Sequence, residues 1–113
     1  MGHYHDVLKD LSEPTRDLRT RIPDTWQGFV DLHRGAMAEG ALSAGIKEVI
    51  ALAIAVAEEC EGCIAAHARG AARKGATPEE VAEAIGVALL MTGGPGSIYG
   101  PKAWAAYLEF KGA

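Results

Sequence analysis

The sequence predicts an all-α fold, and three patterns indicate it. No stretch alternates polar and apolar residues, as a half-buried strand requires. Apolar side chains instead recur at intervals of three and four residues, which is the spacing of one helix face. Capping residues and helix-ending Gly or Pro divide the chain into about five to six helices. A chain of 113 residues has the length of one compact domain, so we expect residues 1–113 to form a single domain.

The N-terminal third is predicted to contain two helices. Ser12 is the expected N-cap of the first helix and Pro23 its end, because proline disfavours helical backbone in the residue before it. Asp24 is the expected N-cap of the second helix, and Gly40 its stop. The apolar stripe of this second helix consists of Trp26, Phe29, Val30, His33 and Met37. Within that stripe, His33 is expected to lie in the core or to line a pocket.

The middle of the chain is predicted to form two consecutive helices. Ser43 is the expected N-cap of a helix over 44–59, and its isoleucines and valines indicate the central buried helix of the fold. A fourth helix is expected over 61–74, where Gly75 ends it. We expect these two helices to form a helical hairpin that turns near residue 60, at the C-x-x-C motif.

The fifth helix has the clearest start in the sequence. Thr77 is the N-cap, Pro78 occupies the first helical position, and Glu80 completes a capping box. Its predicted buried stripe consists of Val81, Ile85, Ala88 and Leu89. The glycines and proline of 93–96 are expected to break the helix before a last helix over 102–110. This break lacks the spacing of a phosphate-binding loop and does not follow a strand, so we predict no nucleotide site.

The composition excludes several classes of protein. The chain carries 11 Lys+Arg against 15 Asp+Glu, a net charge of −4, and no basic run, so a nucleic acid is not an expected partner. The longest apolar run, 49–57, is far shorter than the roughly 18 residues that span a bilayer. No signal-peptide pattern is present, and we expect a cytoplasmic location without membrane contact. Because large apolar side chains are few, we expect further burial between subunits.

The residues that carry chemistry are grouped around a C-x-x-C motif. Cys60 and Cys63 are the two cysteines of the chain, and in a cytosolic protein this spacing is typical of redox chemistry or metal binding. His67 follows Cys63 by four residues, so the two share one helix face and the imidazole can take the thiol proton. Acidic neighbours raise a thiol pKa, whereas a helix N-terminus lowers it. We therefore expect activation of Cys63 to depend on His67.

Glu48 is the predicted fourth member of this group. If the chain forms a hairpin near residue 60, His67 returns toward Glu48 with a mismatch of about five residues, roughly 7.5 Å of helix rise. A glutamate side chain and a water molecule can bridge that distance. Since Glu48 lies beside an apolar run, its carboxylate needs a partner, and His67 is the expected one.

Two other interpretations of the cysteines stay open at this point. Cys60, Cys63 and His67 can supply three ligands of a zinc site, with Glu48 or His33 as the fourth. The two thiols can also be inert and buried. The remaining candidates are expected to be structural. We expect Tyr99 to pack, although a tyrosine after a helix break can also face the active site. We expect His3 and His5 to be exposed terminal residues, and three large aromatic residues to lie in the core or a subunit interface: Trp26, Trp104 and Tyr107.

Together the four residues form the pattern E-x11-C-x2-C-x3-H, which resembles the alkyl hydroperoxidase D (AhpD)-like branch of the carboxymuconolactone decarboxylase superfamily. The resemblance covers about 42–110, including the Gly- and Pro-rich segment 93–101. It implies an AhpD-like helical bundle that assembles as a homotrimer or homohexamer. It also implies that Cys63 attacks a peroxide, Cys60 resolves the sulfenic acid to a disulfide, and Glu48 and His67 form the proton relay.

The function expected from this resemblance is that of a thiol-dependent peroxidase and disulfide oxidoreductase acting on hydroperoxides. A dithiol protein or a small thiol is the expected reductant, and no metal or other cofactor is expected. The better-known peroxidases of the superfamily carry a further relay histidine immediately before the second cysteine, where this chain has Gly62. Two alternative functions are a lactone decarboxylase, which does not need the cysteines, and a non-catalytic redox-sensing subunit.

Overall fold

The architecture consists of six α-helices, and the prediction of an all-α fold is confirmed. The structure is a computed structural model that describes residues 2–112; the two ends of the predicted domain, Met1 and Ala113, lie outside the described residues. No strand occurs within residues 2–112. The helices are α1 (His3–Arg21), α2 (Pro23–Met37), α3 (Ala44–Glu58), α4 (Glu61–Arg73), α5 (Pro78–Thr92) and α6 (Gly94–Lys111).

The core lies between the last four helices, where α3 packs on α4 and α5, and α6 packs on both of those. Its largest fully buried side chains are Tyr107, Leu52, Ile64, Val56 and Val81. The buried face of α4 is otherwise made of alanines, which allow the neighbouring helices to approach closely. The Tyr107 hydroxyl donates a hydrogen bond to the Ala76 carbonyl at 2.6 Å, so the one polar group of this buried ring is satisfied.

Helix α1 begins ten residues before the predicted start, at His3 instead of after Ser12. The reason is a cap from the other end of the chain. The Glu109 carboxylate of α6 accepts hydrogen bonds from the free backbone N–H groups of Tyr4 (3.1 Å) and His5 (2.7 Å). Ser12 lies inside the helix and donates its hydroxyl to the Lys9 carbonyl instead of capping.

The two N-terminal histidines differ from each other. His3 is exposed as predicted, and its Nε2 lies 3.0 Å from Oε2 of Glu61, between the two cysteines. The prediction that His5 is exposed is wrong, because its ring is half-buried and its Nδ1 hydrogen-bonds Glu109. Tyr4 lies between the two histidines in the sequence. Burial raises the pKa of Tyr4, and the negative charges of Glu61 and Glu109 raise it further.

Helix α2 differs from the prediction at both ends. Pro23 opens it in place of ending the previous helix, because the N–H that proline lacks has no helical partner in the first turn. Asp24 therefore lies inside the first turn, and the helix ends at Met37, before Gly40. None of its residues is buried, and the Phe29 side chain is 57% exposed. Helix α2 therefore contributes no fully buried side chain to the core.

The predicted N-caps of α3 and α5 are confirmed. The backbone N–H of Ile46 donates to the Ser43 hydroxyl at 3.2 Å, and Thr77 and Glu80 form the reciprocal capping box. The buried faces are narrower than predicted, however. Ile50 and Ile54 of α3 and Leu89 of α5 are all more than 40% exposed, so α3 is buried on one side only. None of the helices within residues 2–112 is long and apolar enough to span a membrane.

Helix α6 begins at Gly94, whereas the sequence indicated a break through residue 96 and a start near 102. Only Gly93, at φ 66°, interrupts the helical backbone. The following glycines serve close packing on α5. A Cβ at Gly96 would collide with the Thr92 hydroxyl, and one at Gly100 would lie 3.1 Å from Cγ2 of Ile85. Tyr99 is partly buried against the core, in agreement with its predicted packing role.

Candidate active site

The α3–α4 hairpin places the C-x-x-C motif at the first turn of a helix. Helix α3 ends because Glu59 adopts the left-handed conformation at φ 57°. Cys60 is then the N-cap of α4, and its sulfur accepts a hydrogen bond from the backbone N–H of Cys63 at 3.3 Å. The free N–H groups of a helix N-terminus favour negative charge at this position.

Cys60 and Cys63 are joined by a disulfide, so the structure shows the oxidised form of the motif. Their Cα atoms lie 5.2 Å apart, within the usual range for a disulfide. Both residues are half-buried, neither sealed in the core nor fully exposed. The interpretation of two inert buried thiols therefore does not describe this site.

Glu48 of α3 and His67 of α4 form a direct hydrogen bond, with 2.8 Å between Oε2 and Nδ1. The predicted pairing is present, but the water bridge that the helix-rise estimate required is not needed. The Glu48 side chain is 12% exposed, and an ionised carboxylate can only accept. With Glu48 ionised, Nδ1 of His67 donates this hydrogen bond, and Nε2 of a neutral ring then carries the lone pair of a base.

Gly70 explains why the carboxylate reaches the ring directly. A Cβ at this position would collide with all three carboxyl atoms of Glu48. The carboxyl group therefore occupies the space that a side chain at position 70 would fill, one turn after His67. Sequence reasoning missed Gly70, and the available signal was a glycine inside an alanine-rich helix, where it costs about 0.5–1 kcal/mol relative to alanine.

The disulfide, Glu48 and His67 all line one open groove with a volume of about 1000 Å³. Helices α1 and α2 form its other walls. From α2, the His33 ring lies nearly parallel to the His67 ring, with 6.4 Å between centroids. His33 is exposed, so it lines the pocket and does not belong to the core. Trp26 also lines this groove, whereas the other two predicted packing aromatics pack together against the core: Trp104 and Tyr107.

The relation of His67 to the sulfurs is looser than the one to Glu48. Among residues 2–112, no hydrogen bond joins the imidazole to either sulfur in this oxidised form, in which neither sulfur carries a proton. Cys63 and His67 do lie four residues apart on α4, so they share one face of the helix. No group of three or more His, Cys, Asp or Glu residues within 2–112 is arranged to hold a metal ion.

Residues 23–108 match the model of the carboxymuconolactone decarboxylase family. This chain belongs to the carboxymuconolactone decarboxylase family. The crystal structure of an apo carboxymuconolactone decarboxylase family protein from Legionella pneumophila superposes with a TM-score of 0.93 at 37% identity, over 96% of each chain. The disposition of the six helices is therefore shared with a solved member of the family.

Two curated relatives of this family member are similar in sequence along most of the chain. An uncharacterised protein from Cupriavidus necator is 35% identical over 107 residues, covering 82% of this chain and 95% of the relative. An uncharacterised protein in the cox locus of Paracoccus denitrificans is 41% identical over 85 residues, covering 75% of this chain and 77% of the relative. The family includes alkyl hydroperoxidases as well as decarboxylases, so membership is compatible with thiol redox chemistry without assigning an activity.

Proposed function

We propose that this family member is a thiol-dependent peroxidase that reduces hydroperoxides through a dithiol–disulfide cycle at Cys60 and Cys63. The observation that carries the proposal is the Glu48–His67 hydrogen bond in the groove that also contains the disulfide. A nucleophile, an imidazole base and a carboxylate that orients the base form the general arrangement of an activated nucleophile. The cysteines then supply a redox cycle that needs no resident cofactor.

In the oxidative step, the Cys63 thiolate attacks one oxygen of the hydroperoxide. An S–O bond forms and the O–O bond breaks, so Cys63 becomes a sulfenic acid and the peroxide is reduced to an alcohol. Nε2 of His67 takes the thiol proton beforehand and returns it to the leaving alkoxide. Glu48 accepts from Nδ1 throughout and stabilises the imidazolium that exists between the two transfers.

In the resolving step, the Cys60 thiolate attacks the sulfur of the sulfenic acid. The S–S bond forms, the S–O bond breaks, and hydroxide leaves as water with the proton that Cys60 has lost. The hydrogen bond from the Cys63 amide favours the Cys60 thiolate that this attack requires. An external dithiol then exchanges with the disulfide, is itself oxidised to a disulfide, and returns both thiols to the protein.

The test uses a variant in which the cycle stops after the first step. Cys60→Ser removes the resolving thiol, so one equivalent of hydroperoxide is expected to leave a sulfenic acid at Cys63. Dimedone traps this species, and peptide mass spectrometry locates the adduct. In the wild-type chain, the same treatment is expected to remove two hydrogens from the Cys60–Cys63 peptide and to give no adduct.

Cys63→Ser is the matched control, because it keeps one cysteine and removes the proposed nucleophile. It is expected to give no adduct and no peroxide consumption. The absence of a dimedone adduct at Cys63 in Cys60→Ser would contradict the proposal. Decarboxylation of a carboxymuconolactone by the double Cys→Ser variant would identify a lyase instead. A change of oligomer mass on oxidation, with negligible peroxide consumption, would identify a redox-sensing subunit.

A further inference from the structure

The groove around the disulfide is positively charged, although the chain as a whole is acidic. Its walls contain five basic side chains: Arg16, Arg19, Arg69, Arg73 and Lys74. These are five of the 11 basic residues in a chain of net charge −4. Glu48 is the one acidic residue that lines the groove, and its carboxylate is held by His67. The excess positive charge therefore has no counterpart in the groove.

Within residues 2–112, none of these five basic residues forms an ion pair. The arginines that form ion pairs within residues 2–112 are Arg21 and Arg34, each with an aspartate of its own helix. The five basic residues come from α1 and from α4 with its C-cap, which face the same groove. Like charges gathered in one concave site repel one another and concentrate a positive potential there, which an anionic ligand relieves.

The rest of the groove surface is apolar. Leu8 and Leu11 of α1 and Trp26 and Phe29 of α2 line the same groove as the basic residues. The Phe29 side chain is 57% exposed and Leu11 is 48% exposed, so both offer apolar surface that a ligand can cover. A ligand that matches both features has an apolar body and a negatively charged group.

We infer that the groove binds organic hydroperoxides that carry a carboxylate on an apolar chain. The inference rests on the proposed peroxidase function and names the substrate class for that site. Arginine guanidinium groups bind carboxylates in a two-point geometry, and the apolar chain is covered by the α1 and α2 side chains. The peroxide group then reaches the cysteines at the same groove wall.

The test compares two substrates that differ only at the carboxyl group, which is charged in one and neutral in the other: the hydroperoxide of linoleic acid and its methyl ester. The fully reduced chain is mixed with each substrate in the absence of reductant, and a single turnover is followed by stopped-flow tryptophan fluorescence. The acid is expected to react about tenfold faster than the ester at low salt, and this ratio is expected to fall as salt screens the arginines. Arg69→Gln and Arg73→Gln are each expected to lower the ratio.

Arg21→Gln is the matched control, because Arg21 is ion-paired on α1 and does not line the groove; it is expected to leave the ratio unchanged. Equal rates for acid and ester would overturn the inference while leaving the proposed function standing. The two groove variants can also show slower reduction of their disulfide with an unchanged acid-to-ester ratio. That result would mean that the arginines bind the reductant and not the substrate, and it would also overturn the inference. If neither these substrates nor hydrogen peroxide is reduced, the proposed function and the inference fall together.

Discussion

The position of the Glu48 carboxylate depends on the absence of a side chain at Gly70. The carboxyl group fills that space and is thereby directed at Nδ1 of His67. Since the carboxyl is the movable end of a flexible side chain, a methyl group at position 70 is expected to displace it and to leave the backbone in place. Gly70 is therefore a positioning residue for the proposed relay.

Gly70→Ala is expected to lower the rate constant of single-turnover peroxide reduction by about 10- to 100-fold, the usual effect of losing a group that orients a functional histidine. The free energy of unfolding in urea is expected to change little, because the helix propensity that alanine adds offsets the hydrogen bond that Glu48 loses. The pH profile of the reaction is expected to change with the rate, since the carboxylate no longer fixes the ring. Gly86→Ala is the matched control, since a Cβ there meets nothing within 4 Å. A Gly70→Ala chain with the wild-type rate and profile would refute the positioning role.

The pairing of Glu48 with His67 could be predicted from the sequence, but the distance between their side chains could not. The hairpin at residue 60 and the need of a buried carboxylate for a partner were enough to pair Glu48 with His67. The direct hydrogen bond required knowledge that α3 and α4 pack closely enough for the carboxyl to occupy the place of a missing Cβ at Gly70. Such an approach depends on tertiary packing, which the spacing of residues along one helix does not contain.

Among the helices, α1 depends most on a single distant group. The Glu109 carboxylate of α6 caps its N-terminus through two backbone N–H groups and also binds His5. Burial alone raises the pKa of Glu109, but the hydrogen bonds from His5 and Tyr4 and the His5 charge outweigh it, so the pKa is lowered from 4.5. The charged form of Glu109 therefore stabilises the folded chain.

Glu109→Gln is expected to lower the free energy of unfolding at neutral pH by about 1 kcal/mol, as the loss of a charged cap does. Because the folded-state pKa is lowered, the wild-type advantage is complete above the unfolded value of 4.5 and is lost as the pH falls through the folded value. Urea unfolding across this range measures the difference. Glu83→Gln, an exposed change on α5, is the control. A wild-type advantage that stays constant down to the most acidic condition would contradict this assignment.

Helix boundaries could be predicted where the cap is local and not where it is distant. Ser43 and the Thr77–Glu80 capping box lie within three residues of the groups that they bind, so the sequence shows them directly. The start of α1 depends on Glu109, more than 100 residues away. The start of α6 depends on packing against α5. Glycines usually break helices, but in α6 they allow the two helices to approach closely.

The molecule as a whole leaves large apolar side chains on its surface. On α5, Leu90 is 81% exposed and Met91 78%, and on α2, Leu32 is 68% exposed. Where exposed apolar side chains of this size form one patch, another molecule usually covers them. The few large core residues in the sequence led to the same expectation, but the sequence did not indicate which faces stay open.

We propose that these faces are covered by further copies of the chain in a homotrimer or homohexamer. Light scattering after size-exclusion chromatography is expected to give three or six times the chain mass of 11.8 kDa. Replacing Leu90 and Met91 by glutamate is expected to lower that mass, because charges cannot be buried unpaired in an apolar interface. Circular dichroism shows whether the variant stays folded. A wild-type chain that elutes as a monomer at every micromolar concentration would exclude the proposal.

Helix α1 also lies against the glycine that stands between the cysteines. A Cβ at Gly62 would be 3.5 Å from Cδ1 of Leu11, so a methyl group fits there in ordinary contact. A histidine at this position, which the better-known peroxidases of the superfamily carry, would add further atoms beside Leu11, so we expect a smaller residue at position 11 to accompany it. Natural variation at these two sites should therefore be correlated, with a bulky residue at one excluding a bulky residue at the other.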